Sequence, residues 1–221
     1  FFSCHLFVAT CDMAELDEAM ENQDLADQER GYLEEDEFGW QSWRSQKIRT
    51  MRDQEDFPSF EDITAETEGR WEDPDPPGGN PNCPVLDWKW PEEVWDAEVA
   101  LFKTGVNGSN ASDIKQGACG DCWFLAAVSV IAMYPDVLRG IIVDADEEKG
   151  VYCCRFYADD ESERRVCVDT RVPTNASVAS GGRPCYVRSA DQGELWPVII
   201  EKAFAKVYGS FEAIEGGFTA A

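Results

Sequence analysis

The stretch that most constrains this chain covers residues 113–127 and reads DIKQGACGDCWFLAA. Gln116 stands six residues before Cys122, and Trp123 comes directly after that cysteine. The residues that follow are apolar and helix-prone as far as Met133. Because they are apolar on nearly every face, the pattern predicts a buried central helix that begins at Cys122 and ends at Met133.

A cysteine at the start of a helix has a defined chemistry. The positive end of the helix dipole favours the thiolate, which is the nucleophilic form of the side chain. A glutamine amide on the preceding loop can donate a hydrogen bond to the oxyanion that forms when a thiolate attacks a carbonyl group. The sequence therefore predicts Cys122 as a nucleophile and Gln116 as an oxyanion donor.

The general base that such a nucleophile needs is missing from this neighbourhood. A cysteine nucleophile is activated by an imidazole within hydrogen-bond reach, which a further polar side chain orients. The single histidine of the sequence is His5, beside Phe1 and Phe2, and nothing in its position pairs it with Cys122. The 221 residues are therefore interpreted as carrying half of an active site.

The spacing of Cys119 and Cys122 also fits two other kinds of site. A redox dithiol would follow a strand in a βαβ unit, which the surrounding pattern does not provide. A structural zinc site would need a second pair of ligands, and neither the Cys153-Cys154 pair nor His5 has the spacing for one. Both alternatives stay open, and a reversible disulfide between Cys119 and Cys122 would reveal the first.

Further patterns predict an α+β fold that is rich in helix and has a small antiparallel sheet. A helix is expected over residues 91–102, where a proline and two acids begin a stretch of helical apolar spacing. Residues 150–157 and 165–169 flank a polar tip and predict an antiparallel hairpin. A last amphipathic helix is expected over residues 194–208, before Gly209.

The first third of the chain differs in composition from the rest. Residues 1–80 hold 22 acidic and 6 basic side chains, so they carry −16 of the net charge of −25. Residues 73–82 form a linker rich in Pro, Gly and Asn. We therefore predict an acidic N-terminal extension over residues 1–82, partly disordered, and a folded domain over residues 83–221.

The same composition bears on partners and compartment. Strong acidity argues against nucleic acid as a partner, since phosphates are neutralised by Lys and Arg. No stretch reaches the roughly 20 apolar residues of a membrane span, although the apolar residues 1–10 leave open a membrane tether upstream of residue 1. The nine cysteines do not have the regular spacing of a disulfide-bonded domain, so we expect buried thiols in place of disulfides. Free thiols fit a reducing, cytoplasmic compartment.

The motif QGACGDCWFLAA resembles the nucleophile motif of the calpain family, a branch of the papain-like cysteine peptidases. Asp121, directly before the nucleophile, favours calpains over the cathepsins. Three further blocks resemble calpain sequence in the same order, over residues 88–94, 168–174 and 194–208. The resemblance covers residues 83–219 and implies the first half of a calpain protease core, with its papain-like fold.

The resemblance implies a role for each matching residue. Cys122 would be the nucleophile and Gln116 an oxyanion donor, with the backbone N–H of Cys122 as the second donor. The histidine and asparagine of a calpain site come from a second half of the core, which begins just beyond the region of Gly216 and is not among these residues. That second half and protein substrates are the expected partners.

Calpains also bind calcium in each half of their core, so the resemblance implies a Ca²⁺ site. Asp113 and Glu194 match two carboxylate ligands, while Val106 and Gly108 match positions that offer backbone carbonyls, and calcium prefers such oxygen ligands. A turn cap and a first-turn helix acid are the alternatives for the two carboxylates. Residues 108–113 read GSNASD, so the arginine with which calpains form an interdomain ion pair is absent.

The sequence thus predicts the N-terminal part of a calcium-dependent, calpain-like cysteine endopeptidase that acts through a thioester acyl-enzyme. The alternative is a catalytically inactive calpain-like scaffold whose acidic N-terminal region binds partners. A histidine and an asparagine in the coding sequence beyond Ala221 would favour the enzyme. The 221 residues by themselves are expected to be inactive.

Overall fold

A computed structural model describes residues 50–103, 109, 111–175 and 184–217. The predicted disorder before residue 50 and the position of His5 lie outside the described residues. The helices within these ranges are α1 (Phe60–Glu66), α2 (Pro91–Val94), α3 (Cys122–Ile131), α4 (Pro135–Ile141) and α5 (Trp196–Val207). The strands are β1 (Asp87–Lys89), β2 (Ile114–Lys115), β3 (Ile142–Asp146), β4 (Val151–Tyr157), β5 (Glu163–Asp169), β6 (Val172–Thr174) and β7 (Arg188–Ser189).

Within the described ranges the strands form three small antiparallel sheets. One sheet has the order β3-β4-β5, and the two others pair β1 with β6 and β2 with β7. In the β4–β5 hairpin the Cα partners run from Val151 and Asp169 to Tyr157 and Glu163. The predicted α+β fold is confirmed, and so is the hairpin, whose polar tip contains Glu161 with a φ of 63°.

Helix α5 forms the centre of the core. All twelve of its residues are buried, and its Phe204 stacks on Phe124 of α3 with 3.9 Å between ring centroids. Phe156 of β4 meets Phe204 edge to face at 5.4 Å. The sequence predicts an amphipathic helix here, and that prediction is wrong in one respect. The polar side chains of α5 do not form a solvent-exposed face, because they point to partners inside the protein.

Two lysines of α5 neutralise acids in the interior. The ammonium group of Lys202 binds the carboxylate of Asp169 and also donates to the Asp169 carbonyl at 3.0 Å. Lys206 donates to Asp73 Oδ2 at 2.6 Å and to the carbonyl of Cys167 at 3.0 Å. Both lysines and both acids are almost fully buried, so each charge is compensated where water cannot reach it.

Residues 50–82 pack against this core. The N–H of Arg52 donates to the carbonyl of Val207 at 2.8 Å, and the N–H of Gly78 donates to that of Gly209 at 2.9 Å. Met51 and Phe57 join the main apolar cluster. The predicted domain boundary between residues 82 and 83 stays a prediction. The contacts above show that residues on its N-terminal side bind and pack against residues on its C-terminal side.

The helix predicted over residues 91–102 is shorter in the structure, where α2 covers only Pro91–Val94. The following backbone is held by partners distant in sequence. The N–H of Ala100 donates to the carbonyl of Gly193, and the carbonyls of Ala100 and Leu101 accept from Leu195 and Trp196. Because the N–H of Ala100 bonds to Gly193, it cannot also bond to the carbonyl four residues earlier, as it would in a helix.

Helix α3 is present as predicted but is buried on one side only. Phe124, Leu125, Val128 and Ile131 face the core, whereas Val130 keeps 57% of its surface exposed. Met133 and Tyr134, which follow the helix, are 63% and 57% exposed. The expectation of burial on nearly every face is therefore wrong, because within the described chain the packing partners lie on one side of α3.

Candidate active site

Cys122 is the first residue of α3, and its side chain is exposed. The carbonyl of Asp121 accepts hydrogen bonds from the N–H groups of Phe124 at 2.9 Å and Leu125 at 3.1 Å. These two bonds begin the helix at the residue that the sequence predicts. They also leave the thiol at the positive end of the helix dipole, open to a substrate.

Trp123 anchors the first turn of α3. Its indole Nε1 donates to the carbonyl of Ile214 at 3.1 Å, and its ring meets Phe204 edge to face with 5.9 Å between centroids. A Cβ on Gly217 would lie 2.6 Å from the indole ring, so a glycine is required where the chain crosses the tryptophan. The residue after the nucleophile therefore fixes the helix start to the core.

Gln116 lies on the loop that leads to Cys122, and its side chain is exposed. Its Nε2 donates to the carbonyl of Cys119 at 2.8 Å, so the amide folds over the loop towards the helix. A primary amide has two N–H donors. One is used in this hydrogen bond, and the second is available to an oxyanion.

The backbone of the loop is fixed from both sides. The N–H of Ala118 donates to the carbonyl of Cys185 at 2.9 Å, and a side chain at Gly117 would collide with the backbone of Tyr186. On the other side, the N–H of Gly216 donates to the carbonyl of Gly120 at 2.8 Å. Cys122 and Gln116 therefore stand on a loop held between two segments that come much later in the sequence.

The segment after α5 is a supporting element that sequence reasoning missed. Cys119 donates from its thiol to the carbonyl of Phe211 at 3.4 Å, and Glu215 accepts from the amide of Asn80 at 2.9 Å. The adjacent glycines at 216 and 217 were the one available signal, since paired glycines mark a close approach of backbone to another group.

Two buried carboxyl groups, Asp121 and Glu201, lie behind the nucleophile and were also missed as a pair. They are 0% and 2% exposed. Burial, opposed by the hydrogen bond to Glu201, raises the pKa of Asp121 to about 6. Burial and the nearby Asp121 raise the pKa of Glu201 well above its usual range. The sequence offered one signal for this pair, namely an acidic residue directly before the predicted nucleophile.

The two cysteines of the C-x-x-C sequence have opposite surroundings. Cys119 is 2% exposed, whereas Cys122 is exposed. Burial and the negative charge of Asp121 raise the pKa of the Cys119 thiol well above its usual range. Both thiols are free, and the described ranges contain no disulfide. The geometry gives the redox interpretation no support, because only one of the two sulfurs can meet a partner from solvent.

The residues predicted to bind calcium are only partly described, since Val106 and Gly108 lie outside the described residues. Pairing of β2 with β7 places Asp113 beside Ala190, whose N–H donates to the Asp113 carbonyl at 2.6 Å. Glu194 is 3% exposed and follows in the same segment. In the described part of the chain no group of three or more His, Cys, Asp or Glu side chains could hold a metal ion, so carbonyl oxygens would have to complete a site.

The reactivity of the thiols follows from these surroundings. We expect limiting iodoacetamide at neutral pH to alkylate Cys122 at least tenfold faster than the six cysteines that are buried in the described part of the chain. The reason is that an inaccessible thiol must wait for local opening. Burial raises the pKa of the Cys154 thiol and, together with the neighbouring Cys83, raises that of Cys185 to about 12. Peptide mapping by mass spectrometry measures the labelling, with the urea-unfolded protein as control. Faster labelling of Cys119 or Cys185 in the folded protein would contradict the assignment.

Comparison with known proteins decides the family. A sequence model described as calpain family cysteine protease matches residues 71–221, more than half of the chain. The chain belongs to the calpain family. The matched range includes both Gln116 and Cys122, and the description of the family is that of cysteine proteases. None of the helices among the described residues is long and apolar enough to cross a membrane.

Individual relatives from plants and animals agree with this family. The calpain-type cysteine protease ADL1 of rice is 38% identical over 138 residues, which are 60% of this chain and 6% of the rice protein. DEK1 of maize, also a calpain-type cysteine protease, is 38% identical over 135 residues, with the same coverage. The calpain-2 catalytic subunit of cattle is 36% identical over 138 residues, which are 61% of this chain and 18% of the cattle protein. The chain thus spans a small part of the length of its calpain relatives.

Proposed function

We propose that this chain provides the nucleophile side of a calpain-type endopeptidase active site. The observation that carries the proposal is an exposed thiol at the first residue of α3, below a loop whose Gln116 amide folds towards the helix. The Sγ of Cys122 attacks the carbonyl carbon of a peptide bond and forms a tetrahedral oxyanion. Gln116 donates a hydrogen bond to that oxyanion. When this tetrahedral intermediate collapses, the C–N bond breaks and a thioester remains on Cys122, which water then hydrolyses.

The proton transfers of this reaction need an imidazole. It accepts the proton of the Cys122 thiol and later delivers a proton to the leaving amine. His5 is the one histidine of the 221 residues and lies outside the described residues. We therefore place the base, and the asparagine that orients it, in a second half of the protease core that these residues do not include.

The 221-residue chain alone is expected to show no measurable cleavage of an unfolded protein substrate, with calcium and reductant present. Removing the base typically leaves only the residual catalysis of binding and oxyanion contacts. The full-length natural protein, assayed in parallel, should cleave the substrate and lose activity on Cys122→Ser substitution. Cleavage by the isolated chain that Cys122→Ser abolishes would contradict the need for an outside base. An inactive full-length protein would instead support a calpain-like scaffold that acts by binding partners.

The geometry around Glu194 fits a calcium ligand. Its carboxylate accepts hydrogen bonds from the N–H of Lys103 at 3.2 Å and the hydroxyl of Ser189 at 2.7 Å. No cation among the described residues pairs with it, because the ammonium of Lys103 binds Asp191 and the carbonyl of Gln192. A buried carboxylate without a cationic partner is one that a metal can neutralise.

We propose that calcium binds at this corner through Asp113 and Glu194, with backbone carbonyls of Val106 and Gly108. Ser109, which directly follows Gly108 in the sequence, is buried with a hydroxyl that lacks a hydrogen-bond partner among the described residues. A calcium ion supplies positive charge and draws oxygen ligands from separate segments together. It would therefore tie Val106 and Gly108 to the start of α5.

Calcium should raise the thermal stability of the chain by linkage. At a hundredfold excess over Kd the free energy of unfolding should increase by about 2.7 kcal/mol. Magnesium should do so poorly, since it is reluctant to exchange its water for flexible carbonyl ligands. Differential scanning calorimetry should show the shift lost in Asp113→Asn and Glu194→Gln, which keep the side-chain shape. Asp136→Asn, which changes an exposed acid on α4 away from the proposed site, is the control. An equal shift in all the variants would place the calcium elsewhere.

The compartment and substrate class follow from the same proposal. Seven cysteines among the described residues are free thiols, which fits a reducing compartment such as the cytoplasm. A site whose two catalytic residues stand exposed on a loop and a helix start is open to extended polypeptide. We therefore expect unfolded or flexible protein segments as substrates.

A further inference from the structure

The carboxyl groups of Asp121 and Glu201 lie together in the interior, and the two residues are 0% and 2% exposed. Their side chains lie close enough to share a hydrogen bond, and no other side chain among the described residues donates to either oxygen of Asp121. Two ionised carboxylates contain no donor, so this contact is a hydrogen bond only when one of them is protonated. Neither carboxyl group takes part in an ion pair among the described residues. A proton is therefore needed to reduce the repulsion between the two groups, since no cation of these residues does so.

Glu201 connects the pair to the loop that carries Gln116. Both of its carboxyl oxygens accept from the N–H of Val187, at 3.2 and 3.0 Å. The two residues before Val187 hold the loop, through the hydrogen bond to Ala118 and the tight packing on Gly117. Glu201 therefore supports one side of the loop from α5.

Asp121 connects the pair to the nucleophile. It is the last residue of the same loop, and its carbonyl accepts the hydrogen bonds that begin α3 at Phe124 and Leu125. Its side chain does not cap the helix but turns inward to Glu201. The contact between the two carboxyl groups thus joins α5, the segment before β7 and the start of α3.

We propose that Asp121 and Glu201 are positioning residues, which hold Cys122 and Gln116 in register through their shared proton and release them when the pair is deprotonated. This inference rests on the proposed function for the roles of Cys122 and Gln116. Loss of the proton would leave two negative charges in contact, without water and without a cation. The loop and the helix start would then separate from α5.

The groups that face the pair reinforce this dependence on pH. Two buried thiols face it, Cys119 from the loop and Cys185 from the segment before β7, and Glu215 of the segment after α5 lies near Cys119. The two lysines of α5 bind acids elsewhere in the interior. A carboxyl group whose pKa is raised by folding stabilises the fold below its unfolded-state pKa, and this contribution is lost as pH rises through the folded-state pKa. The pair titrates as a unit, and the step near pH 6 removes only the first of its two protons. The shared proton leaves at the second step, whose pKa burial and the nearby Asp121 raise well above the usual range of a carboxyl group.

Amide hydrogen exchange tests the proposal without any assay of proteolysis. In the full chain, the protection factors of Phe124 and Leu125 should fall about tenfold or more between pH 6 and pH 9, a factor that corresponds to one pKa unit. Glu201→Gln should keep them constant, because its amide can donate to Asp121 while its oxygen still accepts from Val187. Glu212→Gln, which removes an exposed acid from the segment after α5, is the control and should behave like the wild type.

The pH profile of the full-length natural protein gives the functional readout. Glu201→Gln should retain kcat near neutral pH and keep it to higher pH than the wild type. Glu201→Leu, which fills the space without a hydrogen bond, should lower kcat by about a hundredfold with little change in KM, as expected for misplaced catalytic groups. If Glu201→Leu does not fold, the comparison of wild type with Glu201→Gln still decides.

Each outcome has one meaning. The same pH dependence of protection in wild type and Glu201→Gln would overturn the shared proton. A loss of protection that is as large in β4 as in α3 would overturn positioning, because the pair would then serve only overall stability. A local loss at the start of α3 in a protein without peptidase activity would support the pair while the proposed function fails.

Discussion

Replacing Cys122 by alanine in the full-length natural protein is expected to lower kcat by about 10⁶-fold, the scale seen when a catalytic nucleophile is removed. The reason is that no other thiol among the described residues is exposed, so no neighbour can take over the attack. Gln116→Ala should have an intermediate effect of about 10²- to 10³-fold on kcat, because it removes one oxyanion donor and leaves the nucleophile.

Steady-state kinetics on an unfolded protein substrate distinguish these effects, with calcium and reductant present. Asp136→Ala is the control, since that side chain is 97% exposed on α4 and should leave both kcat and KM unchanged. A Gln116→Ala variant whose kcat equals that of the wild type would contradict the role of Gln116 as an oxyanion donor. A Cys122→Ala variant with substantial activity would contradict the claim that Cys122 is the nucleophile.

The second large effect concerns stability. Lys202→Met is expected to lower the free energy of unfolding by about 3 kcal/mol, the lower end of the usual cost of removing one partner of a buried ion pair. The lower end applies because Arg171 also binds Asp169. The variant keeps the length of the side chain but leaves the carboxylate of Asp169 without the ammonium group that binds it. Burial raises the pKa of Asp169, yet Lys202 and the other donors outweigh burial and lower it overall.

Urea unfolding followed by circular dichroism measures this loss. Asp136→Ala, which breaks an exposed ion pair with Arg139, should change the free energy of unfolding by less than about 1 kcal/mol. Because the pKa of Asp169 is depressed, its contribution is present above the unfolded-state pKa and disappears as pH falls through the folded-state pKa. The difference between wild type and Lys202→Met should therefore shrink in acid. Equal stability of the two proteins at neutral pH would contradict the account of the buried charges.

Local sequence was enough to locate the nucleophile. The order of glutamine, cysteine and apolar residues fixes a loop and a helix start within a few residues of each other, and α3 begins at Cys122 as predicted. The β4–β5 hairpin was equally predictable, because its alternating strands and polar tip are also local. The roles of Cys122 and Gln116 in catalysis stay a prediction.

Contacts between distant residues explain what the sequence could not show. The predicted helix does not extend to residue 102, because the N–H of Ala100 bonds to the carbonyl of Gly193. The lysines of α5 suggested a solvent-exposed face, yet the partner of Lys206 is Asp73, 133 positions away. Asp121 and Glu201 meet only after α5 has packed under the loop, and no spacing in the sequence links them. Such interactions are set by tertiary packing and have no local signature.

The most direct test of the central claim is detection of an acyl group on Cys122. The full-length natural protein would be mixed with a peptide substrate, quenched in acid during turnover and mapped by mass spectrometry. The account predicts a thioester on the peptide that contains Cys122, which hydroxylamine removes and which is absent from the Cys122→Ala variant. Substrate cleavage with an acyl group on a different residue, or cleavage that persists in Cys122→Ala, would contradict it.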